Sequence, residues 1–288
     1  MGDNVAMKRF TTKKTAKISI TAVLFVAAGL LVYHLLWGKL FAYSHVNVGF
    51  SNHELSNVII FVQQGAELSN VSGIDSCLPA IEEWHTLKFR EKPRLYVFRD
   101  KDSYLNRSTT KARFCAYPNG SVVIAPWAIE EAGDGAISLK TYLIHELSHT
   151  LLYQHMGVVA AYTYYPRWLM EGIAMYSSKQ MGTSWYPSKK ETYDYINQGN
   201  FIDPNDYATA KEDEAVLNVE YRIAFIYSEF GCIVDDLIAT YGKEAFLKYM
   251  KLQLDDSDCY GVFKEAFGID FKTYLREFKK RVHESEDT

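Results

Sequence analysis

The sequence HELSH at residues 145–149, followed along the chain by Glu171, decides the fold and the chemistry to be expected. Two histidines four positions apart on a helix lie on one face, about one turn from each other. His145 and His149 can therefore reach the same metal ion, and Glu146 points to an adjoining part of that face. The chain thus supplies three groups that can hold zinc and one that can act on the water beside it.

The residues around this motif indicate two helices. Residues 139–156 have helical periodicity, end before Gly157 and carry both histidines. Pro166 opens a second helix that contains Glu171, which agrees with the preference of proline for a helix start. Gly172 inside that helix costs about 1 kcal/mol relative to alanine. A close approach between the two ligand-bearing helices would justify that cost.

Three protein ligands favour a catalytic zinc site over a structural one. Structural sites are usually closed by four protein ligands, whereas catalytic sites keep one position for water. Zinc lowers the pKa of water towards neutrality. Glu146 would then take the proton as water attacks a carbonyl and hand it to the leaving amine. The alternative is a pair of helix-surface histidines that hold no metal; the helical context, Glu171 and the export signal described below favour the metal.

The same motifs resemble those of a known family. The segments 145–149 (HELSH) and 166–176 (PRWLMEGIAMY) are similar to the H-E-L-x-H and P-x-W-L-x-E-G-x-A motifs of gluzincin metallopeptidases with MA-like peptidase domains. The similarity covers about residues 94–282. It implies a zincin-like α+β fold, with a small sheet above the active-site helix, a helical C-terminal part, and a cleft between them near residues 157–166.

The resemblance also implies roles for particular residues. Zn²⁺ would be bound by His145, His149 and Glu171, with Glu146 as the catalytic acid and base. The chain would then be a zinc-dependent metallopeptidase, a hydrolase whose partner is a peptide or protein substrate.

These families use a downstream tyrosine or histidine to stabilise the tetrahedral oxyanion, a role commonly worth several kcal/mol. The segment YRIAFIY opens a long predicted helix and resembles the one that supplies it. Tyr221 is the first candidate and Tyr227 the second, with ordinary packing as the alternative for either. Met175 stands where the thermolysin-like pattern has an aspartate, so the carboxylate that would orient a ligand histidine is not identified.

The N-terminal residues predict export of the rest of the chain. Residues 18–38 hold no Asp, Glu, Lys or Arg, and as a helix they span roughly 31 Å, close to the thickness of a bilayer core. Basic residues in the tail, 1–17, place it in the cytoplasm by the positive-inside rule. A juxtamembrane connector (39–56) and an extracytoplasmic catalytic domain (57–288) follow. The alternative is a signal peptide cleaved near residues 42–44, which would give a secreted protein.

Charge argues against a nucleic acid as partner. The formal net charge is -4, and the tail of residues 1–17 contributes about +4 through five basic residues against one acid. The remainder is therefore acidic, and it carries no basic stripe of the kind that binds phosphate backbones.

The four cysteines would lie where disulfides are allowed. Cys232 and Cys259 could pair between C-terminal helices. Buried free thiols are the equally open alternative, and the sequence does not decide between them.

Strand patterns come early and helical patterns late, which predicts an α+β fold with a small mixed sheet. Residues 94–98 read as a buried strand, and 58–62 as a strand or a helix start. A hairpin joins 112–117 to 121–125 through Pro-Asn-Gly, where Asn-Gly favours a tight type I′ turn. Helices are predicted after residue 139, the last four at 219–241, 243–254, 262–267 and 271–282.

The hairpin strand 121–125 resembles the edge strand along which zincins bind extended peptide, with an ordinary sheet strand as the alternative. Taken together, the sequence predicts a membrane-anchored extracytoplasmic zinc metallopeptidase of gluzincin type. Two other functions stay open, a catalytically silent ectodomain that binds a partner and a zinc hydrolase of a non-peptide amide. Because no amine-binding motif of aminopeptidases precedes His145, the sequence favours an endopeptidase.

Overall fold

The computed structural model describes residues 3–44, 46–68 and 71–285, with the side chains of residues 3–19 and 158 left outside the description. The chain has an α+β fold with one small sheet and many helices, as predicted. Its elements in chain order are α1 (Asp3–Leu36), β1 (Phe50–Glu54), β2 (Ile59–Gln63), α2 (Leu78–His85), β3 (Arg94–Val97), α3 (Lys101–Arg107), β4 (Phe114–Ala116), β5 (Ser121–Ile124), α4 (Pro126–Gly133), α5 (Leu139–Thr163), α6 (Arg167–Ser178), α7 (Lys189–Asn197), α8 (Arg222–Tyr241), α9 (Lys243–Asp255), α10 (Cys259–Phe267) and α11 (Phe271–Glu284).

The sheet is mixed and has the strand order β1-β2-β3-β5-β4. The three central strands are parallel, with Leu95 opposite both Ile60 and Val122, and the two edge strands are antiparallel to their neighbours. Parallel strands buried on both faces have continuous apolar runs, and such a run correctly indicated β3. Residues 58–62, for which a strand and a helix start were both open, contain most of β2.

The sequence missed β1, which lies within the segment predicted as a connector. Its residues, FSNHE, do not alternate between apolar and polar, and their side chains are exposed or half-buried. The strand forms because its backbone pairs with β2. Phe41 and Ala42, in the same predicted connector, are buried in the core of the sheet layer. Phe41, Ala42 and β1 therefore pack as part of the folded domain.

The hairpin between β4 and β5 is present, but the predicted type I′ turn is wrong. The Gly120 N–H donates to the Tyr117 carbonyl (3.0 Å), and the Tyr117 N–H donates to the Ser121 carbonyl (2.7 Å). Gly120 has φ +79°, whereas Asn119 is not among the residues with positive φ. A type I turn followed by a left-handed glycine fits these bonds. Pro118 is the reason: a turn centred on Asn119 and Gly120 needs the backbone N–H of residue 118 as donor to the Ser121 carbonyl, and proline has no N–H, so Tyr117 donates instead.

The strand predicted to form the peptide-binding edge lies inside the sheet. β5 pairs with β3 on one side and with β4 on the other, and all four of its residues are buried. That prediction is wrong because the apolar run of β5 suits a position with neighbours on both sides. The shorter strand β4 forms the edge.

The two predicted site helices are confirmed as α5 and α6. Ser138 caps the N-terminus of α5 by accepting a hydrogen bond from the Thr141 N–H (3.3 Å). The helix breaks at Gly157 (φ 73°, ψ 170°), where its end was predicted, but a further helical segment continues to Thr163. α6 begins directly after Pro166, which occupies the N-cap position.

α5 separates the two hydrophobic cores of the protein. Leu143, Leu147 and Leu151 pack in the core between the sheet and α5. Leu152 and Met156, on the other side of the same helix, pack in the core formed by the C-terminal helices. A helix with apolar residues on two faces is held from both sides, and this fixes the position of the residues between those faces.

The sequence also missed α7, although it carries a recognisable start signal. Ser188 accepts a hydrogen bond from the Glu191 N–H (3.3 Å), and the Glu191 carboxylate accepts one from the Ser188 N–H (2.8 Å). This reciprocal pair is a capping box, and its pattern S-x-x-E was visible in the sequence. The helix was overlooked because few apolar residues follow the cap.

The predicted membrane segment, residues 18–38, falls mostly within α1 (Asp3–Leu36). Within the described part of the chain, none of the helices combines the length and the apolar character needed to cross a bilayer. The predicted basic tail, residues 1–17, lies outside the described residues in its first two positions and in all of its side chains.

All four cysteines are free thiols. Of the two alternatives that the sequence left open for Cys232 and Cys259, the structure has the unpaired one. Cys232 is buried against Met181 (Sγ to Sδ 3.8 Å), and Cys259 contacts the carbonyl of Tyr164 (3.2 Å). The two thiols therefore belong to different local environments.

Candidate metal centre

The three predicted metal ligands converge on one point between α5 and α6. The Nε2 atoms of His145 and His149 are 3.0 Å apart, and Oε2 of Glu171 is 3.3 Å from each of them. Both histidines are almost fully buried, and the Glu171 side chain keeps 16% of its exposure. The spacing of four residues in α5 places the imidazoles on one face, and packing of α6 against α5 brings the carboxylate to them.

These donor atoms fit a zinc ion. Ligand atoms about 2.0–2.2 Å from a tetrahedral zinc ion lie roughly 3.3 Å from one another, close to the separations found here. Oε2 of Glu171 is buried without a hydrogen-bond partner among the described residues. A buried carboxylate oxygen aimed at two imidazole nitrogens is costly unless a cation or protons lie between them. The donor set, two nitrogens and one carboxylate oxygen, is one that zinc prefers.

Glu171 is ionised in this setting. Burial alone would raise the pKa of its carboxyl group, but the attraction of the His149 and His145 imidazoles, whose Nε2 atoms lie 3.3 Å from Oε2, outweighs burial and holds the pKa well below its usual range. An ionised carboxylate is the form that binds a metal.

The histidines lack a visible orienting partner. Nδ1 of His145 and Nδ1 of His149 are both buried, and neither forms a hydrogen bond with any residue that the structure describes. Met175, buried in α6, cannot supply one. The sequence did not identify a carboxylate that would orient a ligand histidine, and none of the described side chains takes that role in the structure.

Glu146 lies beside the three ligands without joining them. Only the two histidines and Glu171 form a metal-binding group among the described residues. Oε2 of Glu146 accepts a hydrogen bond from the backbone N–H of Ala116 in β4 (2.7 Å). This contact fixes one carboxylate oxygen at the edge of the sheet. The other oxygen forms no hydrogen bond with a described residue, so it is available for proton transfer.

The two candidate tyrosines occupy different parts of the same cleft. Tyr221 is the N-cap residue of α8 and is half exposed at the rim. The ring of Tyr227 is stacked near that of His145, with centroids 6.3 Å apart, and its hydroxyl accepts a hydrogen bond from Tyr207 (3.2 Å). Both tyrosines line the cleft, so neither candidate is removed by the geometry.

The cleft that contains these groups has a volume of about 800 Å³. Its walls come from the residues just before β4, the β4–β5 hairpin, α5, α6 with the loop that follows it, and the start of α8. Several wall residues were not identified from the sequence as site residues, namely Arg113, Tyr142, Tyr153, Arg167 and Gln180. Tyr162 and Arg167 lie in or next to the predicted cleft segment 157–166. The other walls come from segments distant in the chain, which local patterns cannot bring together.

Gly172 makes the close approach that was predicted, but with a different helix. A Cβ added at this position would lie 2.6 Å from the Phe230 carbonyl oxygen and 2.8 Å from Cγ2 of Val234. Both atoms belong to α8, not to α5. The prediction of contact between the two ligand-bearing helices is therefore wrong, because it is α8 that packs most closely on this face of α6.

His85 binds α5 through Ser148 and was not identified from the sequence. Its Nδ1 is 2.8 Å from the Ile81 carbonyl, and its Nε2 is 2.8 Å from the Ser148 hydroxyl. Because a carbonyl only accepts, Nδ1 carries the proton and Nε2 accepts from Ser148. Ser148 lies between the two histidines of the motif in sequence, so this bond fixes α5 against α2. The lone histidine before a polar loop offered no signal of the contact.

We expect the stability of the protein to depend on pH through His85. Burial lowers the pKa of this histidine from its ordinary value of 6.5 to about 4. The unfolded chain therefore binds a proton that the folded chain rejects between these two values, and stability falls as the pH drops from 6.5 towards 4. Urea unfolding of the wild type and of His85→Asn, each at about pH 7.5 and about pH 4.5, measures this contribution.

The Asn side chain cannot titrate, so His85→Asn removes only this histidine from the pH dependence. The variant should be less stable at neutral pH but lose less stability on acidification than the wild type. An equal loss of stability in both proteins would contradict the assigned protonation state.

No model of a protein family matches the chain, and no curated protein matches it. Among solved structures, the chain is similar to the crystal structure of an M1 zinc metallopeptidase from Deinococcus radiodurans, with 12% sequence identity and a TM-score of 0.47. The similarity covers 80% of this chain and 50% of the other, so this chain spans about half the length of that protein. At this distance the likeness carries no conclusion about function, and the candidate site rests on its own geometry.

Proposed function

We propose that the protein is a zinc-dependent metallopeptidase that hydrolyses peptide bonds. One observation carries the proposal: two imidazole nitrogens and one carboxylate oxygen converge within 4.8 Å in an open cleft, next to a carboxylate that stays outside the group. His145, His149 and Glu171 would hold the ion. When bound, zinc supplies a Lewis acid that polarises a carbonyl and lowers the pKa of water.

Glu146 would act as the base and then as the acid. The hydrogen bond from the Ala116 N–H to Oε2 keeps the carboxylate in place, and the other oxygen would take a proton from the attacking water. The same carboxyl group would then give this proton to the leaving amine. Glu146 is half-buried and lies on the same helix as two of the ligands, so its carboxylate would keep one position relative to them.

Tyr221 would donate a hydrogen bond to the oxygen of the carbonyl under attack. Its exposed side chain at the rim can turn towards a bound peptide, and such a bond is commonly worth several kcal/mol. Tyr227 is the second candidate, because its hydroxyl already accepts from Tyr207 and keeps its own proton for donation. Comparison of Tyr221→Phe with Tyr227→Phe separates the two, since only the loss of the true donor should lower kcat strongly.

The edge of β4 that pairs with no strand would receive the peptide backbone. β4 pairs with β5 on one side only, and its Ala116 N–H points towards Glu146, away from β5. The backbone groups of Phe114 lie on that same side, because neighbouring residues of a strand alternate. An extended substrate could add as a short strand there.

Cleavage of a peptide library by the full-length chain tests the proposal. We expect internal peptide bonds to be cut, the activity to be removed by a chelator, and zinc to restore it. Absence of cleavage in a chain that binds zinc would reject the peptidase function and favour the binding ectodomain. Cleavage only of non-peptide amides would favour the third function.

The location of the domain is a separate proposal that rests on residues 1–38. We propose that the tail is cytoplasmic and that the catalytic domain lies outside the cytoplasm, either anchored or released after cleavage near residues 42–44. Protease treatment of intact cells that express the full chain tests this. A catalytic domain that is fully protected would contradict export, and N-terminal sequencing of the mature chain separates anchor from cleaved signal.

A further inference from the structure

Three arginines line the cleft, and two of them are fully engaged by the protein. The Arg113 guanidinium donates to both carboxylate oxygens of Glu131 and lies 4.3 Å from the Trp185 ring centroid. Arg222 donates to the carbonyls of Ala215 (3.0 Å) and Glu212 (2.7 Å). These two side chains therefore hold the walls of the cleft together.

Arg167 is different. Its guanidinium forms no hydrogen bond or ion pair with any residue in the described part of the chain, and the side chain is exposed. An unpaired guanidinium offers five N–H donors in a fixed fork that matches the two oxygens of a carboxylate. A cation with this geometry in the wall of a cleft is suited to bind a ligand.

The position of Arg167 relates it directly to the metal centre. It is the first residue of α6 and precedes Glu171 by four positions, so the two side chains lie on one face about one turn apart. Its charge reaches Tyr153 in the cleft wall and Tyr207 in the wall of the adjoining cavity: burial raises the pKa of both tyrosines, and the positive charge of Arg167 lowers it. It also lines an adjoining cavity of about 390 Å³, so it stands where the two spaces meet.

We propose that Arg167 binds a carboxylate of the substrate close to the bond that is cut, an assignment that rests on the proposed peptidase function. One helical turn is about 5.4 Å and an extended peptide advances about 3.3 Å per residue, so the carboxylate lies within roughly two residues of that bond. The carboxylate comes either from the C-terminus of the peptide or from an aspartate or glutamate side chain. Both sources have the same planar group with two acceptor oxygens.

Peptide binding to the full-length Glu146→Gln chain tests this without turnover. The probes are one mixed-sequence peptide library free of acidic residues, prepared with a C-terminal amide, the same library with a free C-terminal carboxylate, and the amide library with a single aspartate. At least one of the two acidic forms should bind about tenfold or more tightly than the amide form, because charge-assisted bidentate pairs are strong. The form that gains affinity identifies the source of the carboxylate.

Adding Arg167→Ala should remove this gain, so that the acidic libraries bind no more tightly than the amide library. Arg167→Lys should keep part of the gain, because it keeps the charge without the fork. The matched control is Arg276→Ala, which removes an exposed arginine from a cavity elsewhere and should leave the gain intact.

Two results would overturn the assignment: equal binding of all three libraries, or a preference for carboxylates that survives Arg167→Ala. Failure of the peptidase function is distinguished by cleavage. If the wild type cuts no peptide but the preference depends on Arg167, the binding site stands without the reaction. If peptides are cut with no such preference, the reaction stands and the role of Arg167 is rejected.

Discussion

Glu146→Gln is expected to lower peptide hydrolysis by about 10³-fold while leaving the metal bound, because proton transfer by a positioned side chain typically contributes 10²–10⁴-fold. Glutamine has the shape of glutamate and can still accept the hydrogen bond from the Ala116 N–H, so the fold should be kept. It cannot accept a proton from water at neutral pH. Steady-state kinetics on the best-cut peptide, with metal analysis of the same preparation, measures both parts.

The matched control for this variant is Glu130→Gln. Glu130 lies on α4 and does not line the cleft, so this change should leave kcat unaltered. Full hydrolysis by Glu146→Gln would reject Glu146 as the base. Loss of hydrolysis together with loss of the metal would show that Glu146 acts in metal binding instead.

Gly172→Ala is expected to destabilise the protein by about 2 kcal/mol and to reduce activity by about 10²-fold. Alanine gains about 1 kcal/mol in helix propensity, but overpacking of a closed contact costs about 3 kcal/mol at the upper end of its usual range. The contact here is a backbone carbonyl at 2.6 Å, which cannot turn aside. α6 must therefore shift away from α8, and an error of about 1 Å in a catalytic group costs about 10²-fold in rate.

Urea unfolding and zinc affinity measure this prediction, because the shift also moves Glu171. The control is Gly133→Ala, at the end of α4, where an added Cβ meets no atom within 4 Å and φ is not positive. That change should be neutral or slightly stabilising. Equal stability of Gly172→Ala and the wild type would contradict the tight packing of α6 on α8.

The fold could be predicted from the sequence where one element carries its own signal. Long helices such as α5 and α8 repeat apolar residues with helical period, and β3 has a continuous apolar run. β1 and the interior place of β5 could not be predicted, because pairing with a partner strand decides them. The turn at Pro118 was misread for a local reason, since the proline outweighs the Asn-Gly pair that follows it.

The candidate site divides in the same way. His145 and His149 follow from spacing on one helix, and Glu171 follows from a second motif whose helix packs on the first. The contacts that shape the cleft join residues far apart in sequence, as His85 does with Ser148 at a separation of 63 residues. Arg167 had a usable signal, its position four residues before Glu171. Its lack of a partner could be seen only in the folded protein.

Zinc content of the purified full-length chain tests the central claim most directly. We expect about one zinc ion per chain in the wild type and in Glu146→Gln, since three ligands of the preferred type converge at one point. Glu171→Ala should lose the ion while the chain stays folded, because the Glu171 side chain is not a member of either hydrophobic core. A folded wild-type chain without stoichiometric zinc, or a Glu171→Ala chain that keeps it, would contradict the account.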